Sequence, residues 1–369
     1  MTAVQASGPA KPVSRIIRTV SGGDRTSPTS EYSSLLQTVR NLGLLRRRTG
    51  FYYVMGGILL AALGGAITGF VLFGPTWWQL LIAGALGIIL TQFAFLAHEA
   101  AHQQVFESGP LNDKVGRIIA NGVVGISYSW WMNKHSRHHS QPNTIGKDPD
   151  IENDVIIFQE GEASKVSWIQ SLITRRQGWL FFPLLTLEGV NLHVHGIKSV
   201  FRRGKVERRG LEASMILLRL GIYVTLIFLF LPVGMAFAFL GVQLAVFGVY
   251  MGASFAVNHT GMPMLPHDSK VDFLRRQVLT SRNISGGWPM SIFMGGLNHQ
   301  VEHHLFPNMP RPNLFKAREI VREYCESHGI VYTETTYGKA QTRVLSYLNQ
   351  VGLSARDPFH CPMAAQLGR

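Results

Sequence analysis

Two long stretches of this chain contain no Asp, Glu, Lys or Arg: Phe51 to Ala97, 47 residues, and Leu220 to His267, 48 residues. A helix that crosses a bilayer needs roughly 20 apolar residues. Each stretch therefore has room for two spans and a turn. Gly74-Pro75 marks the first turn, and Trp77 and Trp78 just after it suit a headgroup interface. Pro232 and Gly234 divide the second stretch in the same way. The pattern predicts four transmembrane helices, over about 51–72, 77–98, 213–231 and 235–257. Lipid offers no partner to an open backbone, so the expected fold class is an all-α integral membrane protein.

Charge supports this reading. Charged residues make up 15% of the chain and hydrophobic ones 46%, against about a quarter charged in a soluble domain. The net charge is +13. A basic excess suits either nucleic acid or an anionic lipid surface, and its position decides. Arg46, Arg47 and Arg48 precede one apolar stretch, and Arg202, Arg203, Lys205, Arg208 and Arg209 precede the other. These are cytoplasmic anchor positions by the positive-inside rule, so no nucleic-acid partner is expected. Arg219 falls early in the third span, where snorkelling to headgroups is the expectation. The termini and the polar regions should share the cytoplasmic side.

The remaining segments divide by composition. Residues 1–30 are rich in Ser, Thr, Gly and Pro and read as a disordered tail without a cleavable signal. A membrane domain is expected over 31–345, followed by a C-terminal tail over 346–369. Val166 to Val190 is largely apolar but carries Arg175, Arg176 and Glu188. It reads as a helix lying on the membrane, with a buried helix of the polar domain as the alternative. Pro307, Pro310 and Pro312 are expected to break the chain in the C-terminal region. Cys325 and Cys361 have neither metal-ligand spacing nor a disulfide framework and read as ordinary thiols.

Three histidine clusters stand out: His98 and His102; His135, His138 and His139; and Gln300, His303 and His304. Residues three and four apart share a helix face, so each helical cluster aims its side chains one way. The first cluster ends the second span, and His259 lies just past the fourth. Eight histidines thus gather near one membrane face. Interfacial histidines facing headgroups would not explain the repeated spacing. Neutral imidazole is the commonest metal ligand. Eight are too many for one tetrahedral zinc and suit two ions with positions left open. Attack on an unactivated C–H bond needs a redox metal, which favours iron. Glu99, Asp148, Asp150 and Glu302 are candidate carboxylates to orient the imidazoles. His299 sits off the face of the third cluster and reads as structural or as a support for it. His193 and His195 have a minor claim on the site, and His267, His328 and His360 read as surface residues.

Paired spans with these boxes in this order resemble the membrane fatty acid desaturases. The stretch from Gly295 through Asn298, His299, Gln300, Val301, Glu302, His303 and His304 to Pro307 is similar to that family's third box. The resemblance covers about residues 50–340. It implies four spans under a cytoplasmic helical cap that holds a di-iron centre, with an acyl chain reaching it through a tunnel. It carries the eight histidines over as ligands. Gln300 stands where many relatives have histidine, as in front-end and some bacterial acyl-lipid or acyl-CoA desaturases, and an amide oxygen there implies a weak or water-mediated ligand.

The expected activity is O2-dependent removal of two hydrogens from an acyl-CoA or acyl-lipid. No His-Pro-Gly-Gly motif of a fused haem domain occurs in the sequence. A separate donor is therefore expected, a ferredoxin or a cytochrome with its reductase, and a bacterial plasma membrane is the expected location. A hydroxylase or other monooxygenase on the same scaffold is the main rival. A haem electron carrier or a metal transporter fits less well, because those place their polar groups within the spans.

Overall fold

The computed structural model describes residues 28–163, 165–202, 204 and 206–354. The expected N-terminal tail lies outside these residues up to position 27, and helix α1 (Pro28–Asn41) starts at position 28. Arg203, Lys205, His360 and Cys361 also lie outside them.

Among the described residues, four helices are long and apolar enough to cross a membrane: α2 (Thr49–Phe73), α3 (Gln79–Ala101), α9 (Arg209–Phe230) and α10 (Val233–His259). Each lies within a few residues of a predicted span. Their outward side chains are apolar and bare, with Leu72 76% and Leu229 74% exposed. In water such a surface would be a liability, whereas in lipid it is the normal exterior. Between α3 and α10 the helices close tightly, and a Cβ on Gly87 would lie 2.9 Å from the Gln243 carbonyl oxygen. Toward the turns, Ala66, Ala83, Ile227, Ala236 and Phe239 form a shared core.

Between the hairpins the chain forms α4 (Gly109–Arg117), a π-helical turn (Ile118–Val124) and α5 (Tyr128–Ser140), then α6 (Glu160–Ala163), α7 (Trp168–Thr174) and α8 (Phe181–Phe201). The single helix expected over 166–190 is therefore two helices, and the second runs on to Phe201. The break follows from Gln177. Its side chain bonds the backbone N and O of Ile157 and the carbonyl of Leu348, which pins the turn to two other segments. Nor does α8 only rest on a membrane. It packs on α10 so closely that a Cβ on Gly189 would meet the Leu244 carbonyl oxygen at 2.2 Å, and one on Gly248 the Leu185 carbonyl oxygen at 2.4 Å.

Arg219 is also corrected. It does not reach for headgroups: its Nε donates to the Val123 carbonyl at 2.9 Å, and its guanidinium lies over the Tyr223 ring. The π-helical hydrogen-bond pattern misaligns carbonyls, and the half-buried Arg219 satisfies one of them.

After the spans come α11 (Phe273–Leu279), β1 (Asn283–Ser285), α12 (Gly287–Phe293), a 3-10 turn (Leu297–His299), α13 (Gln300–Leu305), α14 (Arg311–Ser327), β2 (Glu334–Thr336) and α15 (Tyr337–Ser354). β1 and β2 pair in parallel over three residues, a small addition to an otherwise helical fold. Leu35, Val39, Leu274, Val301, Leu305, Val321 and Cys325 form a second core, which joins α1, α11, α13 and α14 into a polar-faced body at one end of the spans. The chain leaves the helix between α13 and α14, after the last histidine cluster, as the prolines predict. Pro310 and Pro312 then start α14, Pro310 at the cap and Pro312 within the first turn, where a missing N–H costs nothing. The C-terminal boundary drawn at 345 falls within α15.

Candidate metal centre

Four helix segments deliver the histidines: the ends of α3 and of α10, whose last residue is His259, and the helices α5 and α13. His98 lies in the last turn of α3 and His102 caps it, its N–H donating to the His98 carbonyl at 3.1 Å. Ser127 caps the start of α5, its Oγ accepting from Trp130 N at 3.3 Å. Glu212, at the start of α9 and fully buried, fixes the same turn by accepting from Ser127 Oγ at 2.6 Å and from Ser129 N at 3.1 Å. Arg117 pairs with Glu212 from the other side. Thus the third span is clamped to the helix that carries the second box. α13 follows a double-glycine turn. Gly295 has φ +59°, and a Cβ there would meet the Phe95 ring at 2.3 Å, so both the backbone and the space require glycine.

The eight singled-out histidines converge in two groups. His98, His102, His135, His139 and His303 form one, and His138, His259 and His304 form the other. Within each group the ring nitrogens that could bind an ion lie within 4.8 Å of one another. The Nε2 atoms of His98 and His102 approach the same His135 Nε2, at 3.0 and 2.8 Å. The rings of His139 and His304 stack at 4.2 Å and link the two groups.

Hydrogen bonds aim the second group. His138 Nδ1 donates to both oxygens of Asp148 at 3.0 Å, and His259 Nδ1 donates to the Thr280 carbonyl at 2.9 Å. His304 Nδ1 donates to Gln277 Oε1 at 2.9 Å, and Gln277 is itself held by donating to the His139 carbonyl at 3.0 Å. In the neutral form of all three rings these bonds put the proton on Nδ1 and leave Nε2 as the lone-pair nitrogen, the state in which imidazole binds metal. Asp150 is more distant, 3.4 Å from His138 Nδ1, and pairs with Lys134 at 3.0 Å.

Electrostatics agree. Burial first, then the neighbouring imidazoles, hold His135, His139, His303 and His304 well below the usual histidine range, and burial brings His102 down to about 3. These rings are neutral at pH 7. Burial works against the charged form of His138 too, but the Asp148 and Asp150 carboxylates raise it above the usual value.

The donor set fits metal. His98 Nδ1, both ring nitrogens of His139, His303 Nε2 and His304 Nε2 are buried and have no hydrogen-bond partner. Buried polar atoms are rarely left so, and bound cations would satisfy the inward-facing ones. Neutral, oriented imidazole is the form in which histidine ligates a metal.

Other singled-out residues lie elsewhere. Glu99 and Glu302 orient no imidazole. Glu99 forms a two-point ion pair with Arg311 and accepts from Tyr52 OH at 3.3 Å. Glu302 accepts from Asn283 Nδ2 at 2.7 Å and Tyr332 OH at 2.8 Å, and burial raises it to about 7 in spite of these bonds. His299 is buried beside Phe315, outside both groups. His193 bonds the Gly189 and Val124 carbonyls and serves packing, while His195 lies edge-on to Trp130. His267 and His328 are exposed. Sequence reasoning missed Trp131, which stacks on His135 at 4.4 Å, and also Gln277, Asn258 and Arg311.

A family model described as fatty acid desaturase matches residues 75–336. The chain belongs to the fatty acid desaturase family. It is therefore an oxidoreductase of lipid metabolism in a membrane setting. It is 29% identical to an acyl-lipid (9-3)-desaturase of Physcomitrium patens over 90% of this chain and 66% of the relative. It is 28% identical to Delta(8)-fatty-acid desaturase 2 of Arabidopsis thaliana, over 82% and 69%. It is 28% identical to the Delta(6)-fatty-acid desaturase fat-3 of Caenorhabditis elegans, over 70% and 62%. The chain thus spans about two thirds of the length of these desaturases. They are eukaryotic and give no support to the expectation of a bacterial membrane.

Proposed function

We propose that this desaturase places a double bond in an acyl chain, carried on a lipid or on CoA, with two iron ions held by the two histidine groups. One observation carries the reading: both groups border the same apolar cavity. The cavity has a volume of about 310 Å³ and is bounded by Ala94, Val124, Leu192, Met251 and Phe255, together with His98, His135, His138 and His259. Such a volume suits part of an acyl chain.

Iron at the two groups would supply the O2 chemistry that removes hydrogens from unactivated carbons. The protein's own part is placement. The apolar walls take up methylenes, each worth about 0.8 kcal/mol when buried. That binding energy fixes which carbon faces the imidazoles. The walls also exclude bulk water from the reacting carbon. Trp131, stacked on His135 and edge-on to His98, holds two rings at the cavity wall.

The histidine end of the spans is proposed to face the cytoplasm. Arg46, Arg47, Arg48, Arg208 and Arg209 cluster at the starts of α2 and α9, on the same end as the histidines. Electrons would come from a separate acidic carrier, such as a ferredoxin or a cytochrome, steered to this basic face.

The test is the fatty acid profile, by mass spectrometry, of a host expressing the chain with a donor system, beside His303→Ala. A new unsaturated acid in the wild type alone supports the proposal and gives the bond position. A hydroxy acid instead would assign hydroxylation, and no bound iron in the purified protein would overturn the di-iron reading.

A further inference from the structure

The three-histidine group has a neighbour that the five-histidine group lacks. Gln300 Nε2 lies 2.9 Å from His259 Nε2, and Gln300 Oε1 accepts from Asn258 Nδ2 at 3.0 Å. His259 Nδ1 donates to a carbonyl, so its Nε2 is the lone-pair nitrogen, and the amide N–H of Gln300 points at the lone pair that a metal would need. A cation on that lone pair would meet an N–H donor. For His259 to bind an ion, Gln300 must withdraw or turn its amide over.

Turning the amide has a consequence one residue away. It places Gln300 Nε2 against Asn258 Nδ2, donor against donor, unless Asn258 turns as well. Little holds Asn258 as it stands. Its Nδ2 reaches the Ser254 carbonyl only at 3.5 Å, and its Oδ1 is buried without a partner. When both amides turn, Asn258 Oδ1 accepts from Gln300 Nε2 and gains the bond it lacks. Ser254 Oγ, one helical turn back, is likewise buried without a partner, so no side-chain bond from that residue holds Asn258 in either orientation. The two orientations of a carboxamide occupy the same volume, so packing opposes neither.

We infer that Asn258 is a positioning residue that turns together with Gln300, aims the Gln300 amide oxygen at the His138–His259–His304 group, and makes that oxygen the fourth protein donor of the second metal position. The inference rests on reading the three-histidine group as a metal position. It gives the two positions different donor sets: imidazoles alone at one, imidazoles plus a neutral oxygen at the other.

The test is Co(II) titration of the purified, metal-free full chain in detergent, following bound metal per chain and the visible ligand-field absorption. The wild type should bind two ions. Asn258→Leu keeps the side-chain volume but cannot orient Gln300. It should bind the first ion as the wild type does and the second about ten-fold or more weakly, the usual effect of losing a group that orients a ligand. The double variant Asn258→Leu/Gln300→His should regain the second ion, because an imidazole at 300 needs no amide partner. Should the leucine variant fail to fold, Asn258→Asp serves. Its carboxylate only accepts, so it holds Gln300 turned, and the second ion should bind at least as tightly as in the wild type. A second-ion affinity in Asn258→Leu equal to the wild type, a double variant that stays weak, or about ten-fold weaker binding in Asn258→Asp would each overturn the inference and leave the metal reading standing. A wild type that binds fewer than two ions would overturn the metal reading itself.

Discussion

Asp148 accepts the Nδ1–H of His138 on both of its oxygens, each at 3.0 Å, from a fully buried position. The carboxylate is itself held in place, since it also accepts from Asn143 N at 2.7 Å and Asp150 N at 2.9 Å. The loop after α5 therefore sets the direction of one ring of the second group. Removal of such a partner typically costs 10–100-fold in metal affinity. Asp148→Ala should lose metal from one position about ten times faster or more against a chelator, while Asp148→Asn, which still offers an oxygen, should lose less. Metal per chain during timed dialysis decides. Retention in Asp148→Ala equal to that of the wild type would show that the ring needs no such anchor.

Glu99 and Arg311 form a buried pair, each 2% exposed at the side chain. The pair ties the end of α3 to the start of α14, and Tyr52 from α2 bonds both, with Arg311 N donating to its OH at 3.1 Å. Breaking one side leaves a buried charge alone, which costs about 3–5 kcal/mol. Arg311→Met should therefore be strongly destabilised. Glu99→Gln/Arg311→Met should recover much of the loss, because no charge is stranded. Thermal unfolding in detergent, run as a double-mutant cycle, measures the difference. A double variant no better than the single would refute this account.

The spans and the histidine spacing could be read from the chain because each is local. Charge-free runs mark lipid contact, and intervals of three and four mark a helix face. Asp148 was within reach for the same reason, ten positions after His138. The partners of the other rings were not. Thr280 acts through a carbonyl, which every residue carries, and Gln277 acts across a fold contact from an unremarkable sequence. Glu99 and Glu302 sit inside the boxes, so adjacency suggested a bond to imidazole, but a helix sends neighbouring residues to different faces. Glu99 meets Arg311, distant in sequence, and Glu302 meets Asn283 and Tyr332. The α7–α8 segment was misread because its break depends on Gln177 meeting Ile157 and Leu348, which no periodicity records.

Gly189 makes a steric prediction. A Cβ at this position would sit 2.2 Å from the Leu244 carbonyl oxygen and 3.1 Å from its carbon, both backbone atoms that cannot rotate away. Gly189→Ala must push α8 from α10, with an overpacking cost of about 1–3 kcal/mol or more. Gly64, on the lipid-facing side of α2, has nothing within 4 Å of its Cβ position, so Gly64→Ala should stay within about 0.5 kcal/mol of the wild type. Paired melts in the same detergent compare the two. Equal tolerance would mean that α8 does not pack on α10 this closely.

Leu192 projects from α8 into the cavity that both histidine groups border. If the acyl chain lies there, the side chain at 192 limits how much chain fits. One methylene in an apolar pocket is worth about 1–3 kcal/mol. Leu192→Trp should therefore shift use toward shorter acyl chains, and Leu192→Ala toward longer ones, with a swing in product ratio of roughly ten-fold or more between the two. The measurement is product distribution from an equimolar mixture of acyl donors of graded length, with metal content checked in each variant. An unchanged ratio at full metal loading would place the acyl chain outside this cavity. A changed ratio with the double bond moved along the chain would further show that the same wall sets which carbon faces the imidazoles.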